Sequence, residues 1–133
     1  IFSSNQMYAV EPNQTLEIEN LSIRTVPAYN VAKTYHPQAA SWVGYVIRLD
    51  GVTYYDAGDT DALKENESIS CDVAFVPIGG TFTMDRKEAS QFVNCLHPKM
   101  VVPIHYGSIV GSKEDEVHFL KQLDSDIVSV IKL

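Results

Sequence analysis

Residues 54–61 read YYDAGDTD and place Asp56, Asp59 and Asp61 directly behind a stretch of strand character. Carboxylates at a strand end can ligate a metal ion, start a helix or shape a polar turn. Asp59 stands between Gly58, which lets backbone pass close to a neighbour, and Thr60, whose hydroxyl can support a ligating carboxylate. The competing reading of Asp59 is an Asx turn onto its own backbone. A calcium loop is excluded, because it needs alternating oxygens with Gly at the sixth position, where this sequence has Asp61.

His105 follows the apolar run 101–104 and precedes Tyr106-Gly107, so it leaves a strand end with a flexible residue just beyond it. An imidazole there is either a metal ligand or a core side chain with both nitrogens satisfied. His36, in TYHPQ, lies in a loop that can face the same cleft. His97 closes a helix, where the dipole favours a cation, and His118 rides on a helix. Ser41, Ser108 and Ser112 lack the G-x-S-x-G setting of a nucleophile. Gly79-Gly80 follows a strand without G-x-G-x-x-G or a P-loop lysine, although its N–H groups could approach a substrate anion.

The elements that must position these residues are legible from periodicity. Leu16, Ile18, Leu21 and Ile23 alternate around Glu19-Asn20 as a hairpin or two short strands. Residues 30–42 read as loop. Val43, Tyr45, Ile47 and Leu49 alternate up to Asp50-Gly51, a type I′ turn signal, and VTYYD returns. The run 72–78 reads as a strand buried on both faces. A helix is expected over 84–97, capped by Thr83 or Asp85, with Ala89, Phe92, Val93 and Leu96 inward. The run 100–104 is a strand whose Pro103 implies an edge or terminal position. A second helix runs from Ser112 to Leu123 with Val117, Leu120 and Leu123 inward, and 127–131 closes as a strand. Strands first, then strand–helix–strand–helix–strand, define a layered α/β chain with mixed pairing.

With 133 residues, the chain is one domain in size, and its net charge of −7 gives no basic patch for nucleic acid or anionic lipid. Cys71 and Cys95 lack CxxC spacing and read as reduced, semi-buried thiols. Asn13, Asn20 and Asn66 open N-x-S/T triplets, which also occur by chance. No apolar run reaches the ~20 residues of a membrane span, and no signal peptide is visible, which points to the cytoplasm.

In order, VPAYN, HPQAASWVGYVIRLDGVTYYDAGDTD, DVAFVPIGGTFTMDRKEA and PKMVVPIHYGS resemble the C-terminal half of metallo-β-lactamase-fold, metal-dependent hydrolases. The likeness runs from about residue 10 to residue 125. It implies that residues 1–133 form one partial domain of an αββα sandwich, a mixed sheet with helices on one face. It implies that Asp59, in the G-D-T motif, bridges two metal ions and that His105, in P-x-H-Y-G, ligates one. Where the family often has a ligating His after "vPa-x", this chain has Asn30, so His36 either compensates or only lines the cleft. Thr60, Asp61, Gly79, Gly80 and Tyr106, with Asn30 and His36, are the expected supporting or substrate-facing positions.

The family's principal metal motif, H-x-H-x-D-H, is absent from the sequence. Asp59 and His105 alone are half a site, because a catalytic zinc site holds about three or more protein ligands and an exchangeable water. The resemblance thus implies a divalent metal, zinc or else manganese or iron, bound only with N-terminal ligands from outside this chain. The expected reaction is attack of metal-activated water on an ester, amide, lactone or phosphodiester of a small-molecule substrate. The expected partner is the N-terminal half, or a second copy, covering the sheet through strands 43–49 and 72–78. The alternative reading is a non-catalytic binding or scaffold module with an eroded metal site.

Overall fold

The computed structural model describes residues 7–131. The strands are β1 Thr15–Ile18, β2 Leu21–Pro27, β3 Val43–Leu49, β4 Val52–Asp56, β5 Val73–Pro77, β6 Met100–Ile104 and β7 Val128–Ser129, and the helices are α1 Arg86–Leu96 and α2 Lys113–Lys121. All seven strands form one sheet in chain order. Pairing is antiparallel from β1 to β4 and parallel from β4 to β7.

The change of pairing follows from the connections. Two-residue turns join β1 to β2 and β3 to β4, which forces antiparallel neighbours. At the second turn Asp50 (φ 49°) and Gly51 (φ 80°) both adopt the left-handed conformation a type I′ turn requires. Beyond β4 each connection is long, and two of the three carry an α-helix.

Helix α1 starts at Asp85, whose side chain accepts from the backbone N–H groups of Lys87 and Glu88, both at 2.8 Å. It ends at His97 in the left-handed conformation, and Pro98 forbids a further turn. Its Ala89, Phe92, Val93 and Leu96 bury against Val46, Tyr55, Ala74, Val76 and Val101. Helix α2 contributes Phe119 to the same core.

Four expectations need correction. Val117 is exposed, and the inward stripe of α2 is Glu116 and Phe119 with Leu120 and Leu123 partly buried. The Ser112–Asp115 capping box fixes the helix start, and Glu116 turns inward to accept from the Tyr106 hydroxyl, which leaves Val117 about 100° away. The strand expected over 127–131 is only Val128–Ser129, paired with Met100 and Val101. Its shortness leaves Pro103 without a partner strand on that side, so the missing N–H costs nothing although β6 lies inside the sheet. Cys95 is exposed, because it occupies the outer side of α1, whereas Cys71 is partly buried and its thiol is pushed up to about 11 by that burial.

The fourth correction concerns β5, which is not buried on both faces. Ala74 and Val76 lie beneath α1, while Val73 and Phe75 on the opposite face are only partly covered. By strand alternation that opposite face carries Ile23, Tyr45, Ile47, Tyr54, Val73, Phe75, Val102 and Ile104, none of them fully buried. Both helices therefore serve one face of the sheet. Asn66, in one of the N-x-S/T triplets, is buried with its amide donating to the Pro27 carbonyl at 2.9 Å. No helix among the described residues is long and apolar enough to cross a membrane.

Candidate metal centre

Two strand exits and a loop meet at one end of the sheet. Asp59 follows β4, His105 follows β6, and His36 comes from the loop between β2 and β3. The Asx turn in YYDAGDTD belongs to Asp56, whose Oδ1 accepts from the Gly58 N–H at 3.1 Å. That turn aims Asp59 outward. Its Oδ2 lies 3.5 Å from His36 Nε2 and its Oδ1 lies 3.6 Å from His105 Nε2.

His105 adopts φ 57°, an uncommon conformation for a residue with a side chain. Its carbonyl oxygen packs directly on Gly79 at the end of β5, where an added Cβ would collide with it. Gly79 is therefore the space that lets the β5 and β6 exits close together. Gly80 has its N–H committed to the Met84 carbonyl at 3.0 Å, so it is no anion donor.

His36 is held on both sides. Its Nδ1 lies 3.0 Å from the Phe82 carbonyl, an acceptor, so in the neutral ring Nδ1 carries the proton and Nε2 presents a lone pair toward Asp59. The ring stacks edge-on against Trp42 with centroids 5.0 Å apart. The loop behind it is closed by Asn30, whose N–H donates to the His36 carbonyl at 2.7 Å and whose Oδ1 accepts from the His36 N–H at 3.0 Å.

Asn30 stands where a ligating His was expected, and it is 6% exposed. Its Nδ2 donates to Asp61 Oδ1 at 3.0 Å and to the Phe82 carbonyl at 2.9 Å. One amide thereby fixes the start of the loop, the carbonyl that orients His36, and a buried carboxylate. Asp61, expected to support the site or face substrate, lies buried. It is 3% exposed and accepts from Asn30, from the Val31 N–H at 2.9 Å and from the Lys33 ammonium. Thr60 does not support Asp59 either. It is fully buried, and its hydroxyl bonds the Tyr29 backbone and the Asp61 carbonyl. Tyr106 donates its hydroxyl to Glu116 and so ties α2 to the His105 loop.

One carboxylate and two imidazoles are the donor types that borderline divalent cations take. Oxygen–nitrogen separations of 3.5 and 3.6 Å exceed those of hydrogen bonds and approach the ~3.3 Å between neighbouring ligands of a tetrahedral ion with ~2.0–2.1 Å bonds. The donor set fits a metal but does not enclose one. Among the described residues, no group of three or more His, Cys, Asp or Glu side chains forms a metal-holding cluster by itself. No spacing rule marked His36 as part of this group. The loop closure by Asn30 puts the cleft-facing His36 of the sequence reading beside Asp59.

Residues 3–105 match the family model described as the β-lactamase superfamily domain. A UPF0173 metal-dependent hydrolase of Thermococcus onnurineus is 39% identical over 122 residues, which cover 88% of this chain and 54% of that protein. Its counterpart in Pyrococcus abyssi is 38% identical over the same shares of the two chains. Among solved structures, a protein of Parabacteroides distasonis described as a metal-dependent hydrolase superposes with TM-score 0.82 at 31% identity, covering 96% of this chain and 58% of that one. Igni18, a metallo hydrolase of Ignicoccus hospitalis, superposes with TM-score 0.71 at 25% identity, covering 94% and 57%. The chain thus spans about half the length of the relatives it matches. With the superfamily's G-D-T and P-I-H-Y-G motifs placing Asp59 and His105 at one end of the sheet, the chain belongs to the β-lactamase superfamily.

Proposed function

We propose that the chain carries the His36, Asp59 and His105 side of the metal centre of a metal-dependent hydrolase. The observation behind this reading is the Asp59 carboxylate flanked by two imidazole nitrogens, with the His36 tautomer set by the Phe82 carbonyl. Zinc fits this oxygen and nitrogen donor set, as do manganese and iron. When bound, a divalent cation lowers the pKa of water from 15.7 toward ~7 and polarises the scissile group. The protein's part is to hold Asp59 and the two imidazoles in register through the Asp56 turn, the Asn30 loop and the Gly79–His105 crossing.

Three donors at one end of the sheet leave the remaining ligands to come from elsewhere. The half-exposed apolar face of the sheet supports a second apolar layer, from the rest of a longer chain, packed against β3 to β6 and completing the centre. A chain with these features works in the cytoplasm under this reading. The rival, a binding module with an eroded site, draws on the lack of any enclosed three-donor cluster among the described residues. Elemental analysis of the full-length protein separates the two. Asp59→Ala is expected to lose most of the bound metal, and His36→Ala and His105→Ala a large part of it. Unchanged metal content in Asp59→Ala would refute the assignment.

A further inference from the structure

Beside His105 lies a cavity of about 290 Å³ lined by Phe82, His105, Tyr106, Ser108, Ile109 and Val110. It adjoins the metal centre on two sides. His105 belongs to both, and Phe82 lines the cavity with its side chain while its carbonyl orients His36. None of Phe82, Tyr106, Ser108, Ile109 and Val110 carries a formal charge at neutral pH, and the wall is mainly aromatic and aliphatic. The Tyr106 hydroxyl is directed to Glu116. Lys33, the cation of the neighbouring loop, is bound to the Asp61 carboxylate.

The mouth of the cavity is a turn built to present apolar groups. Gly107 (φ 80°) donates its N–H to the Val110 carbonyl at 2.9 Å, and Gly111 (φ 66°) closes the segment against the Tyr106 Cβ. Ser108 and Ile109 occupy the tip, and Ile109 is 91% exposed. Exposed apolar groups beside a cavity are a mark of ligand contact.

We infer that this cavity takes the apolar acyl chain of an uncharged carboxylic ester, open or cyclic, with the ester carbonyl at the Asp59 end of the sheet. The inference rests on the hydrolase reading and narrows its substrate from the broader set of esters, amides, lactones and phosphodiesters. In the reaction, water oxygen bonds to the carbonyl carbon and the bond from that carbon to the alkoxy oxygen breaks. One water proton leaves with the alcohol, and the product acid keeps or releases the other.

Two measurements on the metal-loaded full-length protein test this. With 4-nitrophenyl esters from acetate to hexanoate, kcat/KM is expected to rise roughly threefold per methylene, within the range for burying a CH₂ group. Ile109→Asp is expected to flatten that series while retaining the metal content. In methyl NMR, 2-octanone is expected to shift the Ile109 and Val110 methyl resonances, and octanoate to shift them far less. A flat ester series, or a higher kcat/KM on bis(4-nitrophenyl) phosphate, overturns the acyl-chain assignment and leaves the hydrolase reading standing. Absence of all hydrolysis overturns the hydrolase reading instead. In that case the ketone titration alone decides the cavity, and unmoved methyl resonances overturn it.

Discussion

Asn30 uses both ends of its amide on buried partners, so its loss removes three hydrogen bonds together. Asn30→Ala strands the His36 N–H and removes one of two donors from the Phe82 carbonyl, still reached by His36 Nδ1, and from Asp61 Oδ1, still reached by Lys33. Leaving a buried polar group unpaired costs about 1–3 kcal/mol, and urea unfolding should show a loss of at least that size. Because the same bonds hold the His36 loop and its orienting carbonyl, metal affinity of the full-length protein is expected to fall about 10–100-fold. Unaltered affinity alongside reduced stability would remove His36 from the ligand set. Asp59 shows the same dependence on neighbours, since it is free to face the imidazoles only because Asp56 makes the turn.

At the scale of elements, the β5 and β6 exits are locked by one missing side chain. Gly79→Ala drives a methyl into the His105 carbonyl and the Val110 side chain, so the His105 loop must shift. Reduced metal affinity with the two helices intact by circular dichroism is the expected result, and normal affinity would show that the loop yields without moving His105. The C-terminal end of α1 carries a pH-dependent contact. His97 Nε2 lies 2.9 Å from Asp126 Oδ2, and Nδ1 lies 3.5 Å from Asp124 Oδ2. The hydrogen bond and charge of Asp126 hold the His97 pKa above its ordinary value, while His97 holds Asp126 below its own. The stabilisation from His97 is therefore complete below its unfolded pKa of about 6.5 and is lost as pH rises through the raised folded value. That from Asp126 is present above about 3.9 and is lost as pH falls through its depressed folded value. His97→Gln should lower the melting temperature between these limits and converge with the parent protein at alkaline pH. A difference that persists unchanged at alkaline pH would contradict the ion pair.

The whole molecule exposes 8309 Å² of surface, against about 7,000 Å² expected for a folded monomer of its mass. The excess is of the order of what each side of a large, obligate interface buries. Separately, one face of the sheet carries apolar side chains with no helix over them. The 133 residues alone are expected to self-associate with rising concentration in sedimentation, and a stable monomer would contradict the need for a covering layer. Phe75→Ala sharpens the test. Under the proposed covering layer it should cost about 3–5 kcal/mol, as for a buried aromatic, and much less in residues 1–133 alone, where Phe75 is partly in water.

Local chemistry in the sequence determined β1 to β6, both turns, the Asp85 and Ser112 caps and the stripe of α1, because each depends on residues within a few positions of one another. The motif spellings around Asp59 and His105 placed both at strand exits, and the fold brought them 3.6 Å apart. Tertiary structure alone decided what is not local. It drew His36 to Asp59 through the amide of Asn30, and it turned Asp61 and Thr60 inward. It also set the phase of α2 through the Tyr106–Glu116 contact and left one face of β5 uncovered. Periodicity records which side of an element is apolar, but whether that side meets a helix, water or another layer depends on what the rest of the fold puts opposite it.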